Sequence, residues 1–144
     1  MISKEIEDCF NYAVEEANKR GHEFLTIEHI LYSLLKDAKI RMVVEECNGD
    51  VDLLRNDLVN FFETKLEVIE DQNKKKAKPT IAFQRLLQKA AECVLSCEKE
   101  TIYNESLLIA IFSERNSFAR FFLEKQSVTR YEVIKCISHG LEQK

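Results

Sequence analysis

The chain has 144 residues, of which 45% are hydrophobic and 32% charged, and its net charge is −4. This length suits one domain, or two small helical lobes that share an interface. Three glycines and one proline are too few for an all-β fold with many tight turns or for a low-complexity chain. The polar N-terminus and short apolar runs predict neither a secretory signal nor a membrane span. Five cysteines at irregular spacing indicate unpaired thiols, which fits a reducing cytoplasm. From these features together we expect a soluble, mostly helical protein of the cytoplasm.

Charge is unevenly distributed along the chain. Residues 1–65 hold 8 Lys and Arg against 14 Asp and Glu, a net of −6. A net acidic chain is a poor candidate for gripping a phosphate backbone, which requires clustered Lys and Arg. The basic cluster Lys74-Lys75-Lys76-Ala77-Lys78 follows acidic residues and has no interleaved aromatic side chain. It therefore predicts a solvated linker rather than a nucleic-acid site.

Four amphipathic helices are predicted in the first half. Apolar residues recur at steps of three and four from Ile2 to Ala17, which predicts a first helix that Gly21 ends. Thr26 can cap a second helix and Asp50 a fourth, with a short helix between them. The predicted buried faces of the second and fourth helices are Ile27, Ile30, Leu31, Leu34 and Leu35, and Val51, Leu54, Leu58, Phe61 and Phe62.

The second half has the same kind of pattern. Periodicity fades from about Lys65 to Pro79, which predicts a polar linker, and Thr80 can cap the helix that follows. Three further helices are predicted to open near Asn104, at Asn116–Ser117 and at the capping box Thr129–Glu132. The apolar stripe predicted for the fifth helix is Phe83, Leu86, Leu87, Ala90, Ala91, Val94 and Leu95.

The two halves align with each other. A shift of 77 residues places Phe10 on Leu87 and the segment Glu28–Leu31 on Glu105–Leu108. A further slip of two residues places Leu54 and Leu58 on Val133 and Ile137, so the match extends over four successive helices. This favours a duplicated unit over convergence of amphipathic helices. The predicted fold class is all-α, with about eight helices as two pseudo-symmetric four-helix repeats joined by a polar linker. The repeats are predicted over about 1–65 and 80–140 of one domain, with the linker over about 66–79.

Motifs for catalysis or cofactor binding are absent from the sequence. It has no phosphate-binding loop of the G-x-x-x-x-G-K-[ST] type, and Thr26 stands where H-E-x-x-H needs its second histidine. Cys93 and Cys97 lack a second pair at zinc-site spacing. We therefore assign no catalytic, cofactor or metal residue. An adventitious surface metal on His22, Glu23, Glu28 and His29 is the alternative that the clustering of these side chains leaves open.

Separated segments resemble the N-terminal domains of Clp ATPases. His22–Leu31 is similar to the HEF-x-T-x-EH-x-L segment of that family, and Pro79–Gln88 is similar to its PT-x-x-FQR-x-LQ segment. Ala110–Glu114 and Ile137–Gly140 look like the ClpA branch rather than ClpB or ClpC. The basic linker, Lys74–Lys78, departs from the family pattern.

This resemblance implies a Clp N-type domain over 1–144 that is the non-catalytic adaptor- and substrate-docking domain of a ClpA-type AAA+ unfoldase. In that family the complete protein is a hexamer that uses ATP and Mg to feed proteins to the ClpP peptidase. ATP and Mg would therefore belong to the parent, and no cofactor is expected in this chain. The implied partners are the small adaptor ClpS, protein substrates and, through the parent ring, ClpP. Nucleic acid and membrane are not expected partners, and the isolated domain is expected to be a monomer.

The resemblance also implies partner-binding residues. Carried over by motif, these are Glu23, Glu28, Thr80 and Arg85, with His22 as a flanking candidate. The alternative is structural: Thr80 and Glu28 would serve only their own helix ends, and Arg85 would pair across the lobe interface.

Two other functions remain as alternatives. The chain could be the N-domain of another Clp ATPase, or a free-standing relative, that binds substrates or other adaptors directly. It could also be a thiol- or metal-dependent enzyme built on its five cysteines and three histidines.

Overall fold

The computed structural model describes residues 4–66, 77–96 and 103–140, with the side chains of 4–66, 77–89 and 103–138. The part of the predicted linker over 67–76, and the side chains of Cys93 and Cys97, lie outside these residues. The described chain is all-α, with eight helices in two four-helix repeats and one pair of two-residue strands. The elements are α1 (Lys4–Lys19), β1 (Phe24–Leu25), α2 (Ile27–Leu34), α3 (Ala38–Glu46), α4 (Val51–Thr64), β2 (Lys78–Pro79), α5 (Ile81–Ser96), α6 (Asn104–Ile111), α7 (Phe118–Lys125) and α8 (Arg130–Lys135), followed by a π-helical turn (Cys136–Gly140). None of the described helices has the length and apolar character to cross a membrane.

Local side-chain and backbone contacts set the helix ends. Gly21 has φ 71°, and the bonds Gly21 N to Asn18 O and His22 N to Ala17 O close α1 in a Schellman arrangement. Asp50, which was predicted to cap the fourth helix, accepts a hydrogen bond from Leu53 N at 3.1 Å. The predicted caps Ser117 and Thr129 likewise accept from Arg120 N and Glu132 N, each at 3.2 Å. These side chains satisfy amide groups that the first turn of a helix leaves unpaired.

One hydrophobic core contains residues from both repeats. Several core positions recur 77 residues apart: both members of each pair are buried in Ile6 and Phe83, Cys9 and Leu86, Ile30 and Leu107, Leu31 and Leu108, and Leu34 and Ile111. Phe10 and Leu87 are both half-buried and pack against this core. Equivalent side chains of the two halves therefore pack in the same core, as expected of a duplicated unit that buries its apolar faces against its own copy.

The end of the predicted linker pairs with the first repeat. Strand β2 lies parallel to β1, and Lys78 N and Thr80 N donate to Glu23 O and Leu25 O at 3.0 Å each. Pro79 sits between these two donors, so its missing N–H does not break the pairing. Lys78 and Pro79 are thus part of a strand, which anchors the start of α5 beside the start of α2.

The repeats also exchange polar contacts. The buried carboxylate of Glu28, in the first turn of α2, accepts a hydrogen bond from Ala119 N at the start of α7 at 2.9 Å. Asn104 at the start of α6 likewise donates through Nδ2 to Asp37 Oδ2 at 2.8 Å, beside the start of α3, and its N–H donates to Glu5 Oε2 at 3.0 Å. In all three contacts a carboxylate of the first repeat accepts a hydrogen bond from the start of a helix in the second repeat.

Two buried histidines flank β1 in the sequence, His22 before the strand and His29 after it in α2. Thr26 N donates to His29 Nδ1 at 2.9 Å, so that nitrogen carries no proton and the ring proton sits on Nε2. His29 Nε2 then donates to His22 Nδ1 at 2.9 Å, and the His29 ring stacks on Phe62 with centroids 4.7 Å apart. Burial is the main cause that lowers the pKa of both rings, with His22 and Arg20 adding to it at His29, whose pKa falls to about 3.

The core position of Leu86 gives a stability test of α5. Leu86 is fully buried, whereas its neighbour Leu87 is only half-buried. We expect Leu86→Ala to lower the free energy of unfolding by roughly 2–5 kcal/mol, because it removes buried methyl groups and leaves a cavity. Urea unfolding followed by circular dichroism measures this, with the exposed Gln84→Ala as the control on the same helix. Equal midpoints for the two variants would contradict the packing of α5.

The histidine pair gives the fold a pH dependence. The unfolded chain protonates His29 near its ordinary pKa of about 6.5, whereas the folded chain resists protonation down to about 3, so stability is lost as the pH falls below about 6.5. We expect a loss of about 2 kcal/mol at about pH 5 relative to pH 7.5 from this residue. Urea midpoints measured across this range test it. His29→Gln can still accept from Thr26 N, as in a capping box, and should flatten the profile. Parallel profiles for the two proteins would contradict the assignment.

Candidate docking cleft

A cleft of about 500 Å³ opens where the starts of α2 and α5 meet the segment before α7. We call it the basic cleft. Its wall includes Thr26 and Glu28 at the start of α2, Thr80 and Arg85 at the start of α5, and Arg115 and Phe118 at the start of α7. The β1–β2 pair brings the two helix starts together, so the cleft depends on the strand at the end of the linker.

A buried carboxylate organises one wall of the basic cleft. Glu114 has a side chain only 7% exposed, and it accepts from Arg85 Nη2 at 2.7 Å and Arg85 Nε at 3.2 Å. Lys89 Nζ reaches its other oxygen at 3.2 Å. The hydrogen bond from Arg85 is the main cause that holds the pKa of Glu114 below its ordinary value and raises the pKa of Arg85. Two cations on one carboxylate leave this wall with a surplus positive charge.

One further cation and one further carboxylate lie in the cleft wall. Arg115 is exposed, lines the cleft and makes no ion pair with another described residue. The buried carboxylate of Glu28 accepts the hydrogen bond from Ala119 N, so three cations and two carboxylates line the cleft. The cleft therefore presents guanidinium and ammonium groups to a ligand, and these bind carboxylate and carbonyl oxygens.

Apolar side chains border these charges. Phe118 lines the cleft and is 43% exposed, and its ring lies 4.9 Å from that of the buried Phe61. Ile81, the first residue of α5, is 72% exposed between two residues of the cleft wall. Exposed apolar side chains beside convergent polar groups are typical of a surface that binds another protein.

Three of the five sequence-predicted site residues line the basic cleft. Thr80 Oγ1 accepts from Phe83 N at 3.1 Å and so caps its own helix, as the structural alternative expected. Glu28 instead serves the helix start of the other repeat, through Ala119. Arg85 pairs with Glu114 inside the second repeat rather than across the lobe interface. All three thus have structural contacts in addition to their place in the cleft wall.

The other two predicted residues do not line the cleft. Glu23 is half-exposed just before β1, where its carbonyl joins the strand pair, and its side chain bonds to no other described residue. His22 is only 3% exposed and bonded to His29, so it lies beneath the surface. Neither Arg115 nor Phe118 was predicted as a site residue from the sequence, and Glu114 was noted only as the end of the ClpA-like segment Ala110–Glu114.

The side chains proposed for an adventitious metal are engaged elsewhere. The facing nitrogens of His22 and His29 bond to each other, and Glu28 bonds to Ala119 N. Among the described residues these groups do not gather around a common point.

Burial raises the pKa values of Cys9 and Cys47 to about 11, which leaves these thiols almost fully protonated at neutral pH and poorly nucleophilic.

Comparison with known proteins agrees with this architecture. Residues 1–126 match the family described as the Clp repeat (R) N-terminal domain. A protein of Fuscovulum blasticum named ClpA homolog protein is 35% identical over 141 residues, which are 97% of this chain and 18% of that protein. The chain therefore spans less than a fifth of the length of this relative.

Solved structures share the fold at low sequence identity. A chain from a structural study of a malarial protein secretion system superposes with a TM-score of 0.81 at 17% identity, covering 99% of this chain and 96% of that one. The Hsp104 N-terminal domain of Candida albicans gives 0.77 at 10% identity, with 92% and 85% covered. The N-terminal domain of the chaperone ClpD of Arabidopsis thaliana gives 0.67 at 15% identity, with 98% and 94% covered. With its duplicated helices and a sequence match over most of its length, this chain belongs to the Clp repeat N-terminal domain family, the non-catalytic N-terminal domains of Clp ATPases.

Proposed function

We propose that this domain docks the adaptor ClpS and protein substrates for a ClpA-type unfoldase that delivers proteins to the ClpP peptidase. The observation that carries the proposal is the basic cleft, where residues from both repeats surround a surplus of positive charge and exposed apolar side chains. ATP, Mg, the hexameric ring and the contact with ClpP belong to the rest of the parent protein. The expected location is the cytoplasm, and the expected state of the domain alone is a monomer.

The physical character of the cleft suits docking better than catalysis. Arg85 and Lys89 pair with Glu114, which holds their donor groups in place, and the described residues of the cleft wall include no histidine or cysteine that could act as a base or nucleophile. A preorganised guanidinium can bind a partner carbonyl or carboxylate with little loss of side-chain entropy. Phe118 and Ile81 offer apolar area that a partner can cover.

Docking at one cleft is expected to be modest in strength. A small contact area limits the affinity of one domain for its partner. Several copies tethered to one ring raise the effective concentration of the partner, so weak single contacts can still give firm overall binding. A reversible contact also lets a docked protein pass on to the pore of the ring.

Arg85→Ala tests the cleft directly. We expect it to weaken ClpS binding by at least about tenfold, because it removes a preorganised donor from the centre of the contact. Thermal stability should change little, since the Arg85 side chain is 53% exposed and Lys89 still pairs with Glu114. Calorimetric titration with ClpS of the same organism measures the Kd. Arg55→Ala, which removes a half-exposed arginine of α4 outside the cleft, is the matched control.

The outcomes separate the candidate functions. An unchanged Kd for Arg85→Ala, or equal weakening by Arg55→Ala, would contradict docking at the basic cleft. Failure of the wild-type chain to bind ClpS would move the function to direct recognition of substrates or of other adaptors, as in another Clp ATPase.

Glu23→Lys tests whether the docking surface extends from the cleft to β1. We expect it to weaken ClpS binding by about threefold or more, because it reverses a half-exposed charge that has no side-chain partner in the described chain. Glu63→Lys makes the same change of net charge at an exposed position of α4 and is the control. A lower melting temperature in Glu23→Lys alone would return Glu23 to a structural role.

A further inference from the structure

A second cleft, of about 450 Å³, lies between α1, the end of α2 and the start of α6. We call it the acidic cleft, and its wall includes Glu5, Asp8, Tyr12, Asp37, Lys39 and Asn104. It is the counterpart of the basic cleft in the internal repeat. The shift of 77 residues relates Asp8 to Arg85, Tyr12 to Lys89 and Asp37 to Glu114. At the positions where the basic cleft carries two cations, this cleft carries a carboxylate and an aromatic ring.

Lysines of the chain itself already occupy parts of this wall. Lys39 Nζ lies 3.1 Å from Glu5 Oε1 and 3.2 Å from Glu105 Oε1. Lys36 Nζ lies 3.9 Å from the centre of the Tyr12 ring. Both ammonium groups are on long, solvent-accessible side chains, and the contacts they make are those that a ligand cation would make. The wall is therefore built to hold positive charge.

Acceptors remain for a ligand beyond these lysines. Asp8 is exposed and forms no ion pair or hydrogen bond with another described residue. Asn104 is 4% exposed, and although its Nδ2 donates to Asp37, its Oδ1 has no hydrogen-bond partner among the described residues. A buried acceptor without a donor is costly, and a donor brought by a ligand would remove that cost.

We propose that the acidic cleft binds a cationic side chain in a basic segment of a protein. The ammonium or guanidinium group displaces Lys36 from the face of Tyr12 and pairs with the carboxylate of Asp8. The proposal is independent of ClpS docking, because the acidic cleft is lined by other residues than the basic cleft and has the opposite charge. The domain thus has two clefts of the same origin, one for anionic or carbonyl groups and one for cations.

The probe is a fluorescein-labelled Gly/Ser peptide that carries two arginines, with a second peptide in which neutral citrulline replaces both. Fluorescence anisotropy at physiological salt measures the Kd of each peptide for the 144-residue chain. We expect the citrulline peptide to bind at least about tenfold more weakly, because it cannot pair with a carboxylate. Asp8→Lys should abolish the difference. Glu7→Lys makes the same change of net charge on the same helix, outside the cleft wall, and should keep it.

A gain of binding provides the second arm of the test. Lys36→Gln removes the internal competitor from Tyr12 and should tighten arginine-peptide binding by about threefold, a result that a purely structural lysine would not produce. Arg85→Ala should leave this binding unchanged, which separates the proposal from docking at the basic cleft.

Three outcomes would overturn the proposal. Equal losses in Asp8→Lys and Glu7→Lys would show that only the overall charge attracts the peptide. Displacement of the peptide by millimolar Mg²⁺ or Ca²⁺, beyond the effect of equal ionic strength, would assign the acceptors to a metal ion. Equal affinities for the arginine and citrulline peptides would show that the cleft does not select a cation.

Discussion

The carboxylate of Glu28 fixes how the two repeats fit together. It sits in the first turn of α2 and accepts the Ala119 amide at the start of α7, so one buried acidic group lies at two helix N-termini. The positive ends of two helix dipoles stabilise that charge. Thr26 and Ser117 precede these two helices and line the basic cleft. The hydrogen bond between Glu28 and Ala119 therefore also fixes the position of these two residues of the cleft wall. The shape of the basic cleft and the packing of the repeats therefore depend on the same interaction.

Duplication accounts for the surface as well as the core. The buried positions of the two halves remained equivalent, because a change there would open a cavity or force overpacking. The cleft positions were free to diverge, because they face solvent. Arg85 and Asp8 occupy equivalent places yet carry opposite charges, and the same holds for the cation of Lys89 and the ring of Tyr12. One backbone arrangement thus yields two clefts with different charges.

Some polar groups foreseen as surface contacts have a buried role. His22 lies next to a predicted contact residue in the sequence, but its ring is directed inward to His29 and Phe62. Sequence position alone could not show this, because the two rings that His22 contacts come from α2 and α4, and only the tertiary structure brings them together. Lys78 and Pro79 were predicted to belong to the linker, because a strand of two residues is too short to show an alternating pattern. In the structure they pair with β1.

The sequence by itself determined the helices, their caps and the repeat, because these depend on residues three or four apart and on a periodic match between halves. The segments that resemble Clp N-terminal domains also pointed to Glu28, Thr80 and Arg85, which line the basic cleft. Only the tertiary structure decided which polar groups meet across the repeats: the bond of Glu28 to Ala119, the pairing of Lys39 with Glu105 and the two clefts. Such contacts join residues far apart in the chain, and no local periodicity encodes the distance between them.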